Sequence, residues 1–356
     1  MIVSASAAGQ AVIDNPAKPA AKNAGRTVAL KETGRIRDDG EKILFQAPQR
    51  LALAPDGTLF FMDGPRLYAF TGDGKLVAQF LKAGEGPGEC QYPDAFFFEQ
   101  GRVRVEAWVP PKVLDFDFNG KLLKETKSRV PGPFWYLART DGRIFGVRDE
   151  IRHSEAIFRE GFIEAPYAVY EIAPDFQNCR RIYDIPVLHY IAKSRWWRRG
   201  MITFVAHENF LFIVHTAEYK VAKLDLRTGR VERVFKRPYP RRKAGPEEAA
   251  GEKIKDLQGT FSPPPEEYLF DILGLHVVEG ALWVVTSTAR EGESQRLIDV
   301  FDFDGRFADS FYLGFPDPKK RPSLGWGAIS AGGRLFVPDE DEDGFWSIGI
   351  YEIPKR

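Results

Sequence analysis

One stretch constrains the fold more than any other: "LALAPDGTLFFMDGPRLYAFTGDGKLVAQF", residues 51–80. It reads as strand, Asp-Gly turn, strand, short loop, strand, Asp-Gly turn, strand. Asp-Gly between alternating apolar runs is a strong hairpin signal, because both turn positions need left-handed backbone. Four antiparallel strands on this plan make one blade of a β-propeller.

The plan recurs along the chain. Turns between first and second strands fall at Asp56-Gly57, Gln100-Gly101, Asp141-Gly142, Glu208-Asn209, Glu279-Gly280 and Gly332-Gly333. Turns between third and fourth strands fall at Asp73-Gly74, Asn119-Gly120, Asp175 to Asn178, Thr228-Gly229 and Asp304-Gly305. The sixth repeat stops at three strands, in "WSIGIYEIPKR". A ring cannot leave that edge unpaired. "TVALKETGRI", residues 27–36, has strand character and is expected to supply the missing strand.

The sequence therefore predicts an all-β, six-bladed propeller of four-stranded antiparallel blades, with an N-terminal strand closing the last one. The blades cover about 45–81, 94–128, 134–186, 200–237, 271–314 and 326–353 plus 27–36. Spacings beyond about 42 residues between equivalent turns mark insertions. These lie at 150–165, 187–199, 238–270, 288–295 and 338–345. In a four-stranded meander all five emerge on the face that carries the blade-to-blade joints. "GPEEAAGEKIKDLQG", residues 245–259, is the one good helix candidate.

Composition agrees. The 356 residues include 28 Phe, 33 Gly and 25 Pro, as many short strands and turns require. Lys+Arg and Asp+Glu balance at 50 each, so no global field draws the chain to nucleic acid or an anionic membrane. Cys90 and Cys179 are too few for a disulfide scaffold and read as two independent thiols. "MIVSASAAGQAV" ends in the small-residue pattern of a signal-peptidase site, and is read as the tail of an export signal. Residues 1–26 as a whole are expected to be a tail lying off a domain that spans 27–356. The expected compartment is periplasmic or extracellular, and the expected state a monomer.

"KAGEGPGECQYP", residues 82–93, alternates three glycines in the manner of a phosphate loop. No helix start follows, and no Lys-Ser or Lys-Thr follows the last glycine. Leading instead into strand, Gly turn and strand, it resembles the repeat joint of NHL-type β-propellers, with Cys90 where phenylalanine is usual. Over residues 27–356 the chain is similar to bacterial six-bladed propellers of the exported kind. That resemblance implies the fold. It leaves function open, since propellers host binding, hydrolysis and lyase chemistry alike.

The insertion-bearing face around the channel mouth is the expected ligand site. Its most distinctive content is "KSRWWRRG", residues 193–200. Arg195, Trp196, Trp197 and Arg198 offer stacking surface and forked donors for an anionic sugar, a carboxylate or a phosphate. Trp135 and Trp326 occupy comparable positions entering blades three and six. "PDEDEDGFW" copies half of a calcium loop but has Ile350 at the twelfth position, so it reads as an acidic turn, and no cofactor is expected. His153 and His189 fall in loops of the same face and could act as bases, without an identifiable nucleophile. The expectation is a binding protein for a protein partner, an anionic small molecule or a saccharide. The alternative is a metal-assisted hydrolase or lyase acting on an anionic carbohydrate or lactone.

Overall fold

A computed structural model describes the chain except residues 1–10, 39, 41–42, 131, 135, 154, 193–194, 199, 247–253, 257–258, 291–294, 318–323, 326 and 355–356. At Gln100-Gly101 the φ angles are 48° and 75°, the double left-handed turn that a twisted hairpin demands. Asp141-Gly142 and Glu279-Gly280 repeat it.

These turns build six antiparallel sheets. Blade one comprises Gln49–Leu53, Leu59–Asp63, Arg66–Phe70 and Leu76–Gln79. Blade two comprises Tyr92–Glu99, Arg102–Val109, Lys112–Asp117 and Leu122–Lys127. Blade three runs Tyr136–Thr140, Arg143–Asp149, Gly161–Ile172 and Cys179–Ala192; blade four runs Ile202–His207, Phe210–His215, Lys220–Asp225 and Arg230–Lys236. Blade five runs Ile272–Val278, Ala281–Arg290, Gln295–Phe301 and Phe307–Gly314. Blade six has Ile329–Ala331, Arg334–Glu340 and Trp346–Glu352, and its fourth strand is Lys31–Arg37. The N-terminal strand thus closes the ring.

The core lies between blades. Each of six apolar clusters draws its residues from two neighbouring blades, from Phe61 and Phe336 across blades one and six to Phe212 and Leu282 across blades four and five. Strand alternation produces this, because successive side chains of one blade face opposite neighbours.

Three segments depart from the sequence reading. Residues 11–26, expected to lie off the domain, are bound to it. Ala11–Asp14 pairs in parallel with the outer strand of blade four, and Arg26–Ala29 with that of blade five. Between them the buried Asn15 donates to the Gly305 carbonyl at 2.9 Å and accepts from the Phe307 amide at 2.9 Å. The residues expected to start at 1 as an export-signal tail lie outside the described residues up to 10. The insertions at 150–165 and 187–199 are in large part strand, since the outer hairpin of blade three extends through Gly161–Ile172 and Cys179–Ala192. Within the helix candidate, Ile254–Asp256 and Gly259–Phe261 form a small hairpin, and 247–253 lie outside the described residues. Cys90 and Cys179 are unpaired with each other, as expected.

Candidate functional site

The six inner strands surround a central cavity of about 860 Å³. Its wall is largely apolar, with Leu51, Phe96, Leu137, Phe204 and Trp346 contributing. The charged lining residues are Arg50 and Arg139, and no Asp, Glu or Lys lines the cavity among the described residues. His276 also reaches the wall, buried; its Nε2 donates to the Leu324 carbonyl at 2.8 Å, and burial lowers its pKa. That imidazole is therefore a neutral wall group.

Arg50 owes its position to an interruption of strand pairing. The register of the first two strands of blade one shifts between Gln49 and Ala52, and Arg50 takes φ 53°. Such a bulge re-aims a side chain that regular pleating would send between blades. The segment just before it is held by the buried Asp63, which accepts from the amides of Gln46 and Ala47 at 3.0 and 2.7 Å. Blade two has a second bulge at the matching place, between Pro93 and Ala95, and it displaces Asp94.

Beside these two residues stands Glu106, on the second strand of blade two and 2 % exposed. Its Oε2 has no hydrogen-bond partner. A Cβ added at Gly132 would stand 2.9 Å from Glu106 Oε1 and 3.9 Å from Asp94 Oδ2, so both carboxyl groups converge on space that only glycine leaves open. Burial holds the Glu106 carboxyl well above the usual carboxylate range; Asp94 adds to this and Arg50 opposes it. Burial likewise pulls the Arg50 guanidinium down, against the attraction of Asp94 and Glu106. Cys90, packed in the core of blades one and two near Asp94 and Lys112, is pushed up to about 11 by burial and is inert as a nucleophile at neutral pH.

At the other end of the inner strands Arg139 Nε pairs with Glu99 at 3.2 Å, and Glu99 also meets Arg102 and Arg104 at 3.0 Å. One end of the cavity therefore carries an arginine tied into a salt-bridge network. The other carries an arginine facing a buried acid pair.

Of the residues singled out in the sequence, Arg195, Trp196, Trp197 and Arg198 form a fifth strand on the outer edge of blade three. Four strand spacings, about 19 Å, separate that strand from the inner one. Trp196 packs against Ile151, Ala165 and Ile191 and meets the His189 ring edge-on at 5.9 Å. Arg198 donates to the Tyr167 hydroxyl and lies 5.2 Å from the Trp196 ring. The structure brings these four together with one another and with buried His189, but not with the cavity. His189 is a strand residue, fully buried, 3.5 Å from Asp149. Trp135 and Trp326 lie outside the described residues, although Gly325 and Gly327 line the cavity. The acidic stretch is a tight turn in which Asp341 accepts from the amides of Asp343 and Phe345 at 3.0 and 2.9 Å. Among the described residues no group of three or more His, Cys, Asp or Glu gathers at metal-ligand spacing.

Sequence reasoning passed over Arg50, Asp94 and Glu106. One available signal was a charge inside an apolar strand, "VRVEAWV" above all. Of the two bulges that bring the three together, that of blade two is marked by Pro93 inside a strand.

No family model and no curated protein matches the chain. Solved structures do. A candidate exported protein from Bacteroides fragilis superposes with a TM-score of 0.56 at 14% identity, covering 97% of this chain and 100% of that one. A member of the DUF4221 family from Bacteroides vulgatus gives 0.55 at 8% identity, covering 92% and 98%. Virginiamycin B lyase from Staphylococcus aureus gives 0.49 at 12% identity, covering 91% and 100%. At these identities the likeness is one of fold alone. Among the described residues no helix is long and apolar enough to cross a membrane.

Proposed function

We propose that the protein is an extracytoplasmic binding protein whose ligand enters the central channel from the insertion-bearing face. The likeness in fold to the candidate exported protein from Bacteroides fragilis supports the placement outside the cytoplasm. The observation that carries the reading is the cavity itself. At about 860 Å³ it is the size of small-molecule sites, apolar in the middle, with guanidinium groups and, among the described residues, no carboxylate in its wall. That chemistry suits a ligand with an apolar body and one anionic group, which Arg50 would meet with paired donors. Arg195, Trp196, Trp197 and Arg198 then serve on the outer edge of blade three, where they pair with its extended hairpin.

A thermal-shift panel tests this, since a ligand specific for the native state at 100 times its Kd adds about 2.7 kcal/mol. Aryl and alkyl carboxylates and sulfonates are expected to raise the melting temperature. Arg50→Asn, which keeps a residue tolerant of left-handed φ, should abolish the rise. A response to calcium or neutral oligosaccharides alone would overturn the reading.

A second reading, a metal-assisted hydrolase or lyase on a lactone or anionic sugar, draws on Glu106, a buried carboxyl held well above the usual carboxylate range beside Asp94, as a general acid. Turnover of an aryl lactone that Glu106→Gln abolishes would favour it.

A further inference from the structure

Glu106 needs a reason to be where it is. A carboxyl group 2 % exposed, with one oxygen lacking a partner, is costly to keep unless it serves something. The groups around it are few. Asp94 faces it from the inner strand of blade two, and Arg50 from the inner strand of blade one. The segment entering blade three, "VPGPF", presents Gly132 and no titratable side chain. Behind Asp94 lie Cys90 and Lys112, and Lys112 is already engaged with the Gly86 carbonyl at 2.9 Å and Glu125 at 3.1 Å. Among the described residues Arg50 is thus the cation that both faces the acid pair and lines the channel.

We propose that Asp94 and Glu106 form a one-proton gate on Arg50. With a proton on the pair, only one carboxylate opposes the guanidinium, and Arg50 presents donors to an anion in the channel. With the proton lost, two carboxylates hold the guanidinium, and the anion leaves. Binding an anion therefore takes up one proton from solvent, and release returns it. The proposal rests on the channel being an anion site.

The sign follows from the groups named. Glu106 binds its proton more tightly in the folded protein than an exposed carboxyl does, mainly through burial. Ligand affinity should then be full on the acid side and fall as pH rises through the folded value.

The probe is 1-anilinonaphthalene-8-sulfonate, an apolar body with one anionic group, titrated by fluorescence from pH 5 to 9. For the wild type, Kd is expected to rise about tenfold per pH unit above the transition, the slope of one proton. Glu106→Gln and Asp94→Asn each leave at most one carboxylate beside Arg50, so both should bind tightly and lose the wild-type slope. A wild-type slope retained in a folded Glu106→Gln protein overturns the gate. Calorimetry of the wild type in buffers of different ionisation enthalpy gives a reading free of any variant. Uptake of a proton near the transition supports the gate, and its absence across the range overturns it. Equal binding of the probe by Arg50→Asn and wild type would instead overturn the channel reading.

Discussion

Gly84 shows what a glycine-rich turn can hold when no phosphate is involved. The Gly86 amide donates to Glu89 Oε2 at 3.0 Å, and a Cβ at Gly84 would stand 2.1 Å from that same oxygen. The turn binds an anion, and the anion is its own carboxylate. Gly88, at φ 74°, donates to Glu125, which ties the joint to the outer strand of blade two. Residues of this kind differ in what a methyl group would cost. At Gly84 it would meet the Glu89 carboxylate that the Gly86 amide holds, on backbone at φ 150° where a side chain is strained. At Gly146 the obstacle is the ring of Phe134, whose Cδ1 would lie 2.4 Å away in a core position with no exposed surface. Gly146→Ala is expected to destabilise by about 1–3 kcal/mol through overpacking. It should do so with an unchanged urea m-value. Undiminished stability of Gly146→Ala would contradict this account of the blade two–three interface.

Blade three shows what single strands contribute beyond their place in the ring. Across its sheet Glu171 accepts from Arg143 at 2.7 Å and from Arg180 at 2.6 Å. The Arg143 hydrogen bond first, with Arg180 beside it, holds the Glu171 carboxyl down to about 2. Its folded pKa is depressed, so the stability it contributes is present above the unfolded value near 4.5 and lost as pH falls through about 2. Glu171→Gln should therefore lose less melting temperature than the wild type between pH 5 and 2. Parallel pH profiles for the two proteins would refute the assignment. Blades four and five are joined by a different device. Arg237 lies 4.7 Å from the Tyr219 ring and 5.1 Å from those of Tyr239 and Phe307, and donates to the fully buried Asp299 at 2.8 Å. Ser310 gives Asp299 a further bond at 2.9 Å. A charge so enclosed would be costly without its partner.

The whole molecule is a ring, and a ring is only as stable as its closure. Lys31–Arg37 supplies the fourth strand of blade six, and its Ile36 sits fully buried between blades six and one. Residues ahead of it run along the outside, capping the edges of blades five and four. Two truncations separate these roles. Removing residues up to 25 takes away the strand on blade four and should lower the melting temperature while leaving a cooperative transition. Removing residues up to 37 opens the ring and should abolish cooperative unfolding, read by calorimetry. Equal behaviour of the two shortened proteins would show that the closing strand adds nothing beyond edge cover.

Asp-Gly and related turn pairs, with the alternation around them, determined six blades and the strand that closes them, though not the extension of blade three to Arg198. They do so because hairpin chemistry is local: left-handed turn residues and a period of two act over four to eight positions. The tertiary structure decided the rest. Trp196 and Arg198, conspicuous in the sequence, pack on Ile191 and Tyr167 in an edge strand. Arg50, Asp94 and Glu106, inconspicuous in the sequence, come together at the channel because two bulges interrupt the register of separate blades. Residue type announces stacking or charge, but Arg50 and Asp94, 44 residues apart, meet only through packing between blades one and two, which forms when the blades assemble.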